Sequence, residues 1–357
     1  MPQYSKSDRH SQPWMILRRC CARTFALPLA TLLLWTVTGA QTPAQTEQNS
    51  RQMGNRVAGR NDPSSVAAPK SASTDTDDFR LKIETELVVL NVAVLDKNGK
   101  PVVDLAQSDF QVFENGVQQK LKIFKREDIP VSMGIIVDNS GSMRDKRRGV
   151  NAAALKFVRT SNPRDEVFIV NFNDESFLDA DFTDDLKLLE EGLEKIDSRG
   201  GTALYDALEM SLKYLNERAT RDKKVLLIVT DGEDNASRIT LEQVVKSVHQ
   251  SEALIYTVGL LSDESGHALR RAKRALEAFS KASGGTAFFP KNPAEVDSIA
   301  TEISNDVRNQ FVLAYTPSNT AHDGSFRKLE VRVNSKKYGK LAVRTRNGYY
   351  AKGANAG

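Results

Sequence analysis

The sequence predicts an α/β protein. Its centre is a doubly wound, mostly parallel sheet, inserted in or flanked by a small β-sandwich formed by N- and C-terminal strands. Two observations predict this. Residues 128–309 alternate apolar runs with helix-period segments, the pattern of strands joined by crossover helices. Residues 80–127 and 310–352 instead alternate apolar and polar residues, and each is too short to build a core alone.

The chain begins with a segment that reads as a secretory signal. Arg18, Arg19 and Arg23 precede an apolar run from Phe25 to Val37, and Thr38-Gly39-Ala40 supplies a small-residue cleavage site. The run is shorter than the ~20 residues that a membrane helix needs. Residues 1–40 are therefore expected to direct export to a periplasmic or secreted location. An uncleaved N-terminal anchor is the alternative, and the only link to a membrane that the sequence offers. Cys20 and Cys21 both lie ahead of the apolar run, so a cleaved chain has no cysteine, disulfide or thiolate metal site.

The basic balance of the whole chain misleads. Residues 1–40 hold five of its 50 basic groups and one of its 46 acidic groups, so the remainder is neutral. No nucleic-acid partner is implied. Residues 41–79 are rich in Gln, Asn, Ser, Thr, Ala and Asp and poor in large apolar side chains. Such a segment cannot offset its ordering entropy by burial, and it reads as a disordered linker.

Residues 80–127 form the first β unit. Val88, Leu90, Val92 and Val94 alternate, Phe110 and Val112 lead to Asn115-Gly116, and the β segment continues from Val117 to Ile123 and Phe124. Asn98-Gly99 and Asn115-Gly116 are hairpin signals. In residues 128–309 the expected strands are 131–137, 166–172, 224–230, 253–259 and 286–289. The run Val225-Leu-Leu-Ile-Val229 has the continuous apolarity of a strand covered on both faces. Helices are expected around Val150–Val158, Leu204–Leu215, Leu241–Val248 and Val296–Val307. Residues 310–352 return to strands at Phe311–Tyr315, Leu329–Val333 and Leu341–Val343, with Asn347-Gly348 expected as a turn.

The chemistry concentrates at the carboxyl ends of the expected strands, where ligands bind in doubly wound sheets. Asp138, Ser140 and Ser142 follow the first of these strands. Thr202 lies in a Gly-Gly-Thr loop before a helix, and Asp231 follows Val225–Thr230. Carboxylates and hydroxyls are hard oxygen donors suited to Mg²⁺, Mn²⁺ or Ca²⁺. With only two charged donors in a shell of about six, the ion would keep an open, water-filled position that an outside anion could take. The competing reading is local. Asp138 and Ser140 would cap the helix starting near Lys146, and Asp231-Gly232 would be an ordinary turn. Asn173, Asp145, Asp206 and Asp234 are read as caps or loop residues, or as supports for the ion. Arg144, Lys146, Arg147 and Arg148 are read as a solvated first helical turn, and Arg270–Arg274 as an exposed helix face.

The set Asp138-Asn-Ser140-Gly-Ser142, Thr202 and Asp231-Gly232 resembles the metal-ion-dependent adhesion site of von Willebrand factor A domains, over about residues 129–305. Phe110-Gln-Val-Phe-Glu-Asn-Gly116 and Asn347-Gly-Tyr-Tyr350 are similar to the exported VWFA-related acidobacterial proteins. The resemblance implies that Ser140 and Ser142 bind the ion through hydroxyls, and that Thr202 binds it directly when a ligand is engaged. Asp138 and Asp231 would act mainly through bridging waters, and an Asp or Glu of a partner protein would complete the shell. It also implies that changes at the ion are coupled to sliding of the last helix, about 293–309. Mg²⁺ is the first expectation for the ion.

The expected function is metal-dependent protein binding, with no catalytic residues. A metal-assisted hydrolase of phosphate esters is the second reading, weakened because none of His249, His267 and His322 lies in a metal loop. A phosphate-cradling loop is not evident either, since Gly200-Gly-Thr is not followed by Lys. An envelope scaffold with a purely structural metal is the third.

Overall fold

The computed structural model describes residues 87–353, except residue 127, residues 196–197 and residues 262–265. The expected signal segment, the linker and residues 80–86 lie outside the described residues. In chain order the first strands are β1 (Val88–Leu95), β2 (Phe110–Glu114), β3 (Val117–Gln119), β4 (Leu121–Lys125) and β5 (Val131–Asp138). Then follow α1 (Arg147–Arg159), β6 (Glu166–Phe172), β7 (Ser176–Thr183), α2 (Leu186–Glu194), α3 (Leu204–Arg218) and β8 (Lys223–Thr230). Next come α4 (Leu241–Gln250), β9 (Leu254–Gly259), α5 (Gly266–Ser283), β10 (Ala287–Phe288) and α6 (Val296–Arg308). The chain closes with β11 (Phe311–Tyr315), β12 (Phe326–Val333), β13 (Ala342–Arg344) and β14 (Gly348–Tyr350).

The central sheet has the order β10-β9-β8-β5-β6-β7. All neighbours are parallel except β6 and β7, which pair antiparallel. Side-chain alternation along β5 and β8 sorts two cores. Met133, Ile135, Val137, Val225, Leu227 and Val229 face α1, α2 and α6, where Phe157, Leu189, Leu193 and Ile303 meet them. Ile136, Leu226 and Ile228 face α3, α4 and α5, packing with Leu208, Val248 and Phe279. Gly134 belongs to this second face. A Cβ there would stand 2.3 Å from Phe168 Cζ and 2.6 Å from Leu226 Cδ2, so their side chains fill the space it leaves. The edge strand β7 and the short helix α2 are additions to the sequence expectation. Phe177 and Leu178 are exposed at that edge, so β7 lacks the apolar run of a covered strand.

The flanking strands interleave. One sheet has the order β13-β1-β11-β4 and the other β14-β12-β2-β3, and every pairing in them is antiparallel. Each sheet thus draws strands from both ends of the described chain. A shared core of Leu90, Val92, Phe110, Phe311, Leu313 and Val331 lies between them. Asn115 at φ +48° and Gly116 at φ +83° form the tight turn between β2 and β3.

Two expectations fail here. The stretch from Val117 to Phe124 is not one strand. It breaks at Lys120, because β3 pairs with β2 while β4 crosses to β11. Buried Gln119 holds the break, its Oε1 accepting from Ser318 N at 2.9 Å. Asn347-Gly348 is not a free turn either. Gly348 opens β14, and a Cβ there would meet Phe326 Cζ at 2.2 Å and Arg327 O at 2.7 Å. The glycine serves close strand approach.

A buried charge ties the sandwich together. Glu114 accepts from Tyr315 Oη at 2.7 Å, Tyr349 Oη at 2.9 Å and Arg327 Nη1 at 3.1 Å. Burial and the adjacent Glu114 carboxylate push the Tyr315 hydroxyl well above the usual phenol range. At the junction with the central domain, Asp306 of α6 accepts from Tyr256 Oη at 2.5 Å and pairs with Arg344 of β13. Among the described residues, no helix is long and apolar enough to cross a membrane.

Candidate metal centre

The site begins where β5 runs out. Asp138 is fully buried, and its carboxylate shapes the following loop. Oδ1 accepts from Ser140 N at 2.8 Å, and Oδ2 accepts from Thr230 Oγ1, at the end of β8, at 2.5 Å. Burial raises the Asp138 carboxyl to about 6, opposed by the hydrogen bonds from Thr230 and Ser140. Gly141–Met143 then makes one 3₁₀ turn, pinned by the buried Met143 side chain.

That turn places the two serine hydroxyls side by side. Ser140 Oγ lies 3.2 Å from Ser142 Oγ, and Ser142 Oγ donates to Asp231 Oδ1 at 2.8 Å. The other oxygen of Asp231 accepts from Lys146 Nζ at 2.7 Å. Asp138, Ser140, Ser142 and Asp231 therefore form one connected polar group across the ends of β5 and β8.

Thr202 arrives on a separately stapled loop. Gly200 takes φ +73°, and Gly201 N donates to Asp174 Oδ1 at 2.6 Å. Thr202 N donates to Asn235 Oδ1 at 2.9 Å, while Thr202 O accepts from Asn235 N at 3.0 Å. Ala203 N donates to Asn173 O at 2.7 Å. The loop is thus tied to the segments that follow β6 and β8, and Thr202 is buried there.

The helix-cap alternative for Asp138 and Ser140 does not hold. Helix α1 starts at Arg147 with Lys146 at its N-cap, and no side chain caps it. The softer positions are loop supports. Asp234 accepts from Tyr205 N at 3.0 Å and Ser237 Oγ at 2.5 Å, and burial raises its carboxyl. Asp206 accepts from Arg238 N at 3.0 Å, and Asn173 Oδ1 accepts from Glu175 N at 3.0 Å.

The expectation of a solvated basic turn after the loop is overturned at two positions. Lys146 is paired with Asp231, and Arg147 is buried, donating from Nη2 to Asn171 Oδ1 at 2.9 Å and Leu193 O at 3.0 Å. Burial lowers the Arg147 guanidinium to about 10, while Asp138 and Asp179 pull it upward. The one sequence clue was Asn171, a polar side chain inside an otherwise apolar strand. Arg144 reaches Ser198 O at 3.1 Å, and Arg148 is exposed. Arg270, Arg271 and Arg274 do lie on an exposed face of α5, with Arg271 Nη2 donating to Glu233 Oε2 at 2.8 Å.

The residues present fit a small hard cation. Metal–oxygen distances of about 2.0–2.1 Å place neighbouring ligand oxygens of an octahedron roughly 3 Å apart. The Ser140–Ser142 separation of 3.2 Å is close to that spacing, with Asp231 behind them, 2.8 Å from Ser142 Oγ. Among the described residues, no three His, Cys, Asp or Glu side chains cluster as metal ligands, so an ion at this site would depend on hydroxyls.

Part of the chain is similar to known proteins. Residues 133–233 match the family model described as von Willebrand factor type A domain. The mouse calcium-activated chloride channel regulator 1 is 30% identical over 159 residues, which is 42% of this chain and 16% of that protein. The human calcium-activated chloride channel regulator 4 is 26% identical over 170 residues, 45% of this chain and 17% of that protein. The chain thus spans less than a fifth of the length of these curated relatives. Among solved structures, the vWF domain of a type V pili tip protein from Porphyromonas gingivalis is 14% identical. It covers 50% of this chain and 95% of that chain, with a TM-score of 0.42. A von Willebrand factor type A protein from Catenulispora acidiphila is 11% identical, covering 76% of this chain and 74% of that chain, with a TM-score of 0.42. The matched residues 133–233 hold Asp138, Ser140, Ser142, Thr202 and Asp231, and the chain carries a von Willebrand factor type A domain.

Proposed function

We propose that this chain is an exported, metal-dependent protein-binding module. Its ion, Mg²⁺ in the first instance, is held by Ser140, Ser142 and Thr202 with Asp138 and Asp231 behind them. The bound ion would supply an electrophilic centre for an Asp or Glu carboxylate of a partner protein. The observation that carries this reading is the chain of contacts from Ser140 through Ser142 to Asp231, set beside a fully buried Asp138. Asp138 is held by Thr230 and Ser140, and Asp231 by Ser142 and Lys146, so hard oxygen donors converge at two strand ends. The protein's own part is to fix those oxygens, through Thr230 on Asp138 and through the stapled loop that carries Thr202.

Export rests on the N-terminal segment, where Arg18, Arg19 and Arg23 precede an apolar run and a small-residue site. Binding is favoured over phosphate-ester hydrolysis by where the imidazoles lie. His249 packs edge-on against Phe326 at 4.9 Å in the sandwich junction, and His267 contacts Arg270.

The test is a double substitution, Ser140→Ala with Asp231→Ala. It is expected to abolish Mg²⁺ and Mn²⁺ binding in titration calorimetry while leaving the circular dichroism unchanged. Undiminished metal binding in that variant overturns the assignment. Capture of a protein from envelope extract in Mg²⁺, lost on chelation while the fold persists, separates binding from a purely structural metal.

A further inference from the structure

We propose that Lys146 is a built-in counter-charge that sets the cation affinity of the Asp138–Asp231 site. The proposal rests on the metal-site reading above and adds a regulating residue to it. Lys146 Nζ stands 2.7 Å from Asp231 Oδ2, and the two side chains are only 13% and 0% exposed. Solvent therefore screens this pair poorly. The second oxygen of the same carboxylate faces Ser142 and the rest of the oxygen group.

Local helix physics does not explain a lysine at this position. Lys146 is the N-cap of α1, and its side chain caps nothing there. A cation at a helix N-terminus opposes the helix dipole. The next residue, Arg147, is also a cation, buried on the side of Asn171 and Leu193. Of the three cations at the start of α1, Arg148 is exposed, while Lys146 and Arg147 are turned inward, Lys146 onto Asp231 and Arg147 within the field of Asp138. Asp138 and Asp231 carry two negative charges, and Lys146 and Arg147 balance them before any ion arrives.

That balance has a direct effect on loading. A positive charge 2.7 Å from a carboxylate offsets the attraction those oxygens hold for a further cation. A divalent cation approaching the same oxygens feels that opposition at twice the charge. Metal alone should therefore bind weakly. A carboxylate ligand offsets part of the charge the ion adds, so metal and ligand should each strengthen the other's binding, by reciprocal coupling.

The experiment titrates Mn²⁺ alone into the folded protein and three variants by calorimetry. Lys146→Met and Lys146→Gln are expected to bind Mn²⁺ roughly tenfold more tightly than the parent, from the size of the charge effect. Lys146→Arg, which keeps the charge, is expected to match the parent. Affinity unchanged or weakened in both neutral variants overturns the role of Lys146. No Mn²⁺ binding in either the parent or the two neutral variants, or binding that survives the Ser140→Ala and Asp231→Ala double substitution, overturns the metal-site reading itself.

Discussion

Thr230 donates its hydroxyl to Asp138 Oδ2 across 2.5 Å, joining the end of β8 to the end of β5 beneath the polar group. Thr230→Val keeps the shape and removes the donor. A buried charged acceptor deprived of a partner costs about 1–3 kcal/mol. The variant should lose that much stability in urea unfolding with chelator present, and it should bind Mn²⁺ more weakly. Full parent affinity would show that Thr230 plays no part in setting the carboxylate.

Lys223, at the opposite end of β8, donates to Val307 O at 2.5 Å inside the junction with α6. Burial lowers its ammonium from 10.5 to about 8, with Asp306 opposing the shift. Between these values the unfolded chain holds a proton that the folded one has released, so stability must rise with pH. Above the ordinary tyrosine range the gain is offset, because Tyr256 is held protonated by burial and by Asp306. The expected gain between about pH 8 and pH 10 is roughly 2–3 kcal/mol, and it should vanish in Lys223→Met. A parent curve that is flat or falling across that window would contradict the assignment.

Glu114 and Arg327 are both almost wholly buried, at 2% side-chain exposure each. Removing one charge of such a pair strands the other and costs about 3–5 kcal/mol. Glu114→Gln should therefore destabilise far more than the double change Glu114→Gln with Arg327→Met. Equal losses in the single and double variants, read from urea midpoints, would show the pair to be uncoupled.

The join between α6 and β11 ties the central domain to the sandwich. Asp306 is held by Tyr256 and Arg344, and Arg308 pairs with Asp128 at 2.7 Å. We predict that Mg²⁺ together with a carboxylate ligand changes amide exchange across residues 293–315. Identical protection with and without them would remove the coupling, since a shift requires differential contacts in two states.

Legibility followed burial. β5, β6 and β8 were readable because strands covered on both faces must be apolar throughout. β7 was not, because an edge strand that exposes Phe177 and Leu178 has no such constraint. That Asp138 and Asp231 stand at strand ends was readable from the apolar runs that precede them. Lys146 and Arg147 were not, because charge in a first helical turn looks the same whether it meets water or a carboxylate from 85 residues away. The sheet change between β3 and β4 was hidden for a similar reason. It is held by Gln119 and Ser318, which are 199 residues apart.

The interleaved sandwich also dictates an order of assembly. Glu114 and Tyr315, which meet in its core, are separated by 201 residues of chain. During synthesis β1 to β4 emerge first and then wait, with edges unpaired, until β11 and β12 are made. The intervening domain can form its own parallel sheet meanwhile, and in doing so brings the waiting ends together. Its folding supplies the loop closure that such distant strands would otherwise find slow. A lesion in β5 or β8 should therefore leave the outer strands unmatched, open to pairing with another chain.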